Sequence, residues 1–286
     1  MPSPSPEKPA GRDRYRPPSN ALTFQDGVWR SRRPTAVSYP DEGNDLCFAV
    51  EDGSYWFRHR NDVITTIIGR YPPSGTIYDV GGGNGFVSLA LEAAGHSVVL
   101  VEPGAGAANA VRRGVTNVIH GTLEDAGFDD ATIDAVGVFD VVEHIEDDDR
   151  FLADCGRILV RGGRVYCTVP AVRWLWSGED VAAGHFRRYT RSSLRSVFQR
   201  NGFDVEYLTP FFSWLPLPIL LFRTLPYHWG SERTPKPGVA SVRADHSLPR
   251  PLQSVATSVH RWELARIARG STVPCGTSLF CVARCR

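Results

Sequence analysis

From Arg58 to Tyr71 the apolar residues recur at helical spacing. Val63, Ile64, Ile67 and Ile68 fall on one face, and Pro72-Pro73 ends the run. Downstream the period changes. Short apolar stretches of strand length, TIYDV (76–80), SVVLVE (97–102), NVIH (117–120), IDAVGVFD (133–140) and RVYCTVP (164–170), alternate with helical segments over 86–95, 105–113 and 147–159. Gly95 stops the first of these helices, and Phe151, Leu152, Cys155, Ile158 and Leu159 share a face of the last. Strands this apolar need cover on both faces, which predicts a parallel α/β sheet with helices on each side. Thr190 caps a further helix over 191–201. FDVEYLTP (203–210) and SLFCVARC (278–285) then supply a sixth and a seventh strand as an antiparallel addition, with a helix over 250–268 between them.

The flanking segments read differently. Residues 1–21, rich in Pro, Ser and Arg, predict a disordered tail, and 22–286 a single domain. Within it, 22–72 form an N-terminal cover and 211–270 a lid-like insertion before the last strand. The apolar run 211–229 is broken by Pro216, Pro218 and Pro226 and falls short of the ~20 residues needed to span a bilayer. Packing onto the sheet, a lid over a greasy pocket, and a shallow membrane contact flanked by Trp214 and Trp229 all suit it.

Charge changes the picture by exclusion. The 32 basic and 31 acidic residues of the 286-residue chain nearly cancel, so no global field draws it to nucleic acid, and no nucleic-acid partner is expected. The N-terminus has no apolar signal-like core, and the six cysteines contain no CxxC pair. Both favour a reducing, cytoplasmic setting.

The candidate chemistry starts at Tyr78-Asp79-Val80-Gly81-Gly82-Gly83-Asn84-Gly85, where a strand ends and a helix begins. Glycines there let the backbone approach a ligand, and the helix start offers unpaired N–H groups. Position 86 is Phe, so the spacing is not a dinucleotide fingerprint. Asp79 beside the turn suits a cationic ligand end better than a pyrophosphate. Glu102, ending the second strand of the series, is placed to take a ribose diol; a solvated strand end is the plainer alternative.

With these motifs the chain resembles the class I S-adenosylmethionine-dependent methyltransferases. YDVGGGNG (78–85), VVLVEP (98–103), HGTLEDAGF (120–128), FDVVEHI (139–145) and RGGRVYCTVP (161–170) follow in the family's order, over about residues 55–286. The resemblance implies a Rossmann-like, mostly parallel seven-stranded sheet with an antiparallel last strand, and S-adenosyl-L-methionine as the cofactor. It implies that Asp79, Gly81, Gly83 and Gly85 hold the methionine part and Glu102 the ribose. Thr122 and Leu123 would meet the adenine, with Glu124 as substitute for the acid many members carry at the position of Thr122. Phe139 would lie beside the cofactor, and Arg60, in the segment Tyr55–Arg60, would reach the cofactor carboxylate.

Asp140, Glu143 and His144 follow the fourth strand of the series, at the sheet end where such folds place ligands. His144 and Glu143 are candidate catalytic groups, with a structural role as the alternative. The spacing is also similar to a Glu-x-x-Glu-His cluster of the ubiquinone-biosynthesis O-methyltransferases. That likeness implies a divalent metal on Asp140, Glu143 and His144. His185 is a second candidate base. Trp174, Trp176, Arg188, Tyr189 and Trp214 are candidates for the acceptor site. The expected activity is methyl transfer to a small-molecule or lipid-like acceptor, at oxygen before nitrogen or carbon, by a monomer or homodimer touching membranes at most peripherally. The alternatives are a non-methylating reaction such as cyclisation at the same cofactor site, and a silent binding module.

Overall fold

The computed structural model describes residues 15–31, 45, 47–230 and 250–286. A hairpin of two four-residue strands, Leu22–Gln25 (β1) and Val28–Ser31 (β2), turns at Asp26-Gly27 with φ of 50° and 86°. Positive φ at both turn residues is what a two-residue hairpin demands, and Asp-Gly supplies it. Then come Ile77–Val80 (β3), Val98–Glu102 (β4), Val118–His120 (β5), Ile133–Phe139 (β6), Leu159–Pro170 (β7), Phe203–Phe211 (β8) and Ser278–Cys285 (β9).

All nine strands form one sheet in the order β1-β2-β5-β4-β3-β6-β7-β9-β8. The pairs from β2 to β7 are parallel, and β9 runs antiparallel between β7 and β8. The seven predicted strands are thus present, with the last one antiparallel. The hairpin adds two more from the segment expected to be an irregular cover.

Alternate residues of each strand serve opposite faces. Tyr78, Val80, Val99 and Val101 join one apolar cluster with Leu152, Cys155, Leu194 and Phe198. Ile77 and Val98 join the other, with Val63, Ile64, Ile67 and Ile68. Those four belong to the helix Tyr55–Arg70, which starts three residues before the periodicity suggests. Ser54 caps it, its Oγ accepting from the Trp56 and Phe57 N–H groups. The helix Arg250–Ala268 packs across it.

Two further differences have local causes. β7 begins at Leu159 rather than Arg164; Arg161-Gly162-Gly163 is a register break inside the strand, with Gly162 at φ 81°. Residues 15–21, placed by composition in the tail, pack on the sheet. The Tyr15 hydroxyl meets that of Tyr78 at 2.5 Å, and Ser19 Oγ donates to the Ala126 carbonyl. The rest of the tail, residues 1–14, lies outside the described residues, as do 32–44 of the cover and 231–249 of the insertion. Among the described residues no helix is long and apolar enough to cross a membrane.

Candidate functional site

The parallel strands end on one edge of the sheet, and the candidate residues gather there. Asp79, in β3, is fully buried. Ser88 Oγ donates to its Oδ2 at 2.6 Å, whereas Oδ1 has no partner. Burial pushes this carboxyl up to about 6; the Ser88 bond and the Arg60 charge only partly offset it. The turn that follows requires glycine at position 81. Its φ is 67°, and a Cβ there would lie 2.7 Å from Val141 Cγ2. Glu102 closes the other side. Its carboxylate accepts from the Gly83 N–H at 2.9 Å and the Gly104 N–H at 2.8 Å, tying two turns together.

Asn84, within the turn, donates to Glu51 at 3.1 Å and accepts from Asn109 at 2.9 Å, and Arg113 reaches Glu51 at 2.7 Å. The segment before the first long helix is thereby fastened to the glycine turn. Glu51 and Asn84 carry no sequence signature, because their partners lie tens of residues away.

Arg60 links this cradle to the next strand end. Its Nη2 donates to the Phe139 carbonyl at 2.8 Å, its Nε lies 2.6 Å from Asp140 Oδ2, and its guanidinium sits 5.6 Å from the Trp56 ring. Its positive charge is felt at Asp79 and at Glu143, so both acids border one site. Asp140 takes φ 59°, and its Oδ1 accepts from Thr168 at 3.0 Å. Both of its oxygens are therefore engaged by protein groups.

The third group follows β6. Glu143 and His144 sit on the 3₁₀ turn Val142–His144 and meet His185 from a separate loop. One ligand atom from each lies within 4.8 Å of the others. This trio is able to hold a divalent ion. It differs from the predicted set in having His185 where Asp140 was expected. Glu143 is buried, its Oε2 without a partner, and desolvation reinforced by the Asp140 charge pushes its carboxyl well above the usual range. His144 is pushed down to about 4 by burial and by the neighbouring His185, so its imidazole is neutral at neutral pH.

His185 is oriented from behind. Its Nδ1 lies 2.9 Å from Asp180 Oδ1. Asp180 in turn takes Arg188 through Nε at 2.8 Å and Nη2 at 3.0 Å, and the Ser177 N–H at 2.9 Å. Burial alone would raise Asp180, but the hydrogen bonds from His185 and Arg188 outweigh it and hold the carboxyl below its usual value. A carboxylate on Nδ1 fixes the tautomer that leaves Nε2 as an acceptor. Asp180 is the residue that sequence spacing missed.

The remaining candidates scatter. Arg188 is spent on Asp180. Tyr189 turns inward, its hydroxyl donating to Asp148 at 2.6 Å, so it lines no open surface. Trp214 donates through Nε1 to His260 at 3.0 Å. Trp174 is exposed, and Trp176 half-buried. Thr122 caps a short helix with Asp125, Leu123 is buried beside it, and Glu124 points outward to Arg150. A cavity of about 310 Å³ lies beside the Glu102 turn, lined by Val28, Arg30, Pro103, Gly104 and His120 among others.

The family described as methyltransferase domain matches residues 55–208. A Mycolicibacterium smegmatis protein, described as a probable S-adenosylmethionine-dependent methyltransferase, is 27% identical over 177 residues, covering 60% of this chain and 68% of that one. Among solved structures, the fold is shared with Haemonchus contortus phosphoethanolamine N-methyltransferase 2 in complex with S-adenosyl-L-methionine. The TM-score is 0.52 at 18% identity, over 87% of this chain and 58% of that one. It is shared equally with the [4+2]-cyclase SpnF, at TM-score 0.54 and 16% identity, over 89% and 99%. At such identity the likeness is one of fold.

Proposed function

The chain belongs to the methyltransferase domain family, and on that premise we propose that it moves the methyl group of S-adenosyl-L-methionine to a hydroxyl of a small, lipid-like acceptor. The observation that carries the reading is the buried Asp79 carboxyl with one oxygen unpartnered at the glycine turn. A buried carboxylate without a partner costs stability. A cationic ligand end at that oxygen removes the cost. The donor set fits the rest of the cofactor: Gly81, Gly83 and Gly85 give a backbone cradle for the methionine part, and the Glu102 carboxylate, at the end of β4, is the group for the ribose hydroxyls. Thr122 and Leu123 border the adenine side, and Arg60, bonded to the Phe139 carbonyl and beside Asp140, is the cation for the cofactor carboxylate, with Phe139 beside the cofactor.

When bound, the cofactor supplies an electrophilic methyl group on a positively charged sulfur. The chain's own work is alignment and proton removal. His185 Nε2, set by Asp180 on Nδ1, accepts the acceptor hydroxyl's proton. Glu143, whose carboxyl is pushed above the usual range by burial and the Asp140 charge, lies beside it. The Asp180–His185 pair supports an acceptor that gives up a proton, since one that loses none needs no oriented base; of such acceptors we propose a hydroxyl.

A second reading is favoured by one observation, the Glu143, His144 and His185 donors within 4.8 Å. These three would hold a divalent cation, which would supply Lewis-acid polarisation of the acceptor oxygen. Turnover by mass spectrometry, with chelator or with added Mg²⁺, Mn²⁺ or Zn²⁺, separates the two. Unchanged turnover favours the histidine alone, and restoration by one ion favours the metal. An absence of any +14 Da product across hydroxylated, amine and lipid acceptors would contradict methyl transfer.

A further inference from the structure

Large apolar side chains are exposed together on one part of the molecule. Leu217 is 62% and Phe222 70% accessible along the short helical turns of 216–228, Trp229 just after them is 78% accessible, and Trp174 is 59% accessible on the neighbouring 3₁₀ turn. The two segments are one body. Thr224 is buried and donates to the Leu175 carbonyl at 3.1 Å, and Arg223 pairs with Glu179. A patch of this kind marks a contact with something outside the chain.

Its charge narrows the choice. Residues 207–230 contain no Asp or Glu. The two acids of the adjoining short helix Gly178–Ala182, Glu179 and Asp180, are each matched by an arginine, Arg223 and Arg188. Arg173 adds an exposed positive charge beside Trp174. Among the described residues the surface is thus apolar and aromatic, with both adjoining carboxylates paired and Arg173 as its exposed positive charge. Tryptophans and arginines around exposed aliphatic side chains match the boundary of a bilayer, where indoles and guanidinium groups meet headgroups. The turns between Pro216 and His228 are too short to cross it.

We propose that this patch docks the protein on an anionic lipid surface, with residues 216–229 lying in the interface. The helix carrying Asp180 and the loop carrying His185 adjoin the patch, so docking brings lipid next to the oriented histidine. That consequence for the acceptor rests on the methyl-transfer reading; the docking itself does not.

The test is sedimentation of the full chain with phosphatidylcholine vesicles, with and without phosphatidylglycerol. It is run alongside the double variant Leu217→Glu/Phe222→Glu, whose side chains are solvent-exposed in the folded protein. The wild type should sediment with the anionic vesicles. The variant, with an unchanged unfolding midpoint, should lose at least tenfold in partitioning. Titration with S-adenosyl-L-methionine in the same samples reports the cofactor site separately, so failure of one reading is not failure of the other. No sedimentation, equal sedimentation of the variant, or a concentration-dependent dimer abolished by the same substitutions would overturn the proposal; the last would make the patch a self-association surface.

Discussion

Replacing Asp79 by Asn should stabilise the protein and cripple cofactor binding at once. The wild-type carboxyl sits at about 6 against an ordinary 3.8, pushed up by burial. At about 1.36 kcal/mol per unit, keeping it ionised costs the ligand-free fold about 3 kcal/mol. The folded state holds this proton more tightly than the unfolded chain does, so the Asp79 contribution falls as pH rises from about 4 to about 6. Asn cannot ionise, and its carbonyl still accepts from Ser88. The stability gap between variant and wild type should therefore widen in the variant's favour, by about 2 kcal/mol between about pH 4.5 and 8. Cofactor binding moves the other way. Losing the carboxylate opposite a cationic ligand end should cost about 1–3 kcal/mol, roughly fivefold to a hundredfold in affinity. Urea unfolding across that pH range, with calorimetric titration of S-adenosyl-L-methionine, reads both effects. A pH-independent stability gap, or wild-type affinity in the variant, would refute the reasoning.

Other variants probe the neighbouring parts. Glu102→Gln should weaken cofactor binding by about 1–3 kcal/mol, measured by the same calorimetry, because one oxygen becomes an amide that cannot accept from both the turns and a ribose. Asp180→Asn should lower turnover and shift its pH profile while leaving cofactor affinity intact, because His185 loses the partner that fixes its tautomer; an unchanged profile would make the pair structural. His260 is held down to about 4 by burial and by the stacked His59. It thus favours unfolding as pH falls from about 6.5 to about 4. His260→Gln, which can still accept from Trp214, should lose less stability than wild type over that window in thermal unfolding.

Much of the frame was legible because its signals are local. The apolar runs of β3 to β9 and the face Val63, Ile64, Ile67, Ile68 are patterns within single elements. Asp79 and Glu102 could be singled out because one stands just before the glycine turn and the other ends the next strand. The hairpin was missed although Asp26-Gly27 announces it, because four-residue strands offer too few alternations to read, and β2 finds its place only by pairing with β5, tens of residues away. The same distance hid Asp148 as the partner that draws Tyr189 inward; Asp180 is only five and eight residues from His185 and Arg188, but the three lie on a helix and an irregular loop, where no periodicity says which side chains meet. Thr122 shows a third limit: its hydroxyl is taken by a capping box with Asp125, a local use that competes with any ligand.

The central claim is a nucleoside site between the glycine turn and Glu102, and a crystal structure of the full chain with S-adenosylhomocysteine tests it most directly. The ribose hydroxyls should lie on the Glu102 carboxylate and the amino-acid end against the Gly81–Gly85 backbone beside Asp79. Density for the nucleoside anywhere else on the molecule would contradict it.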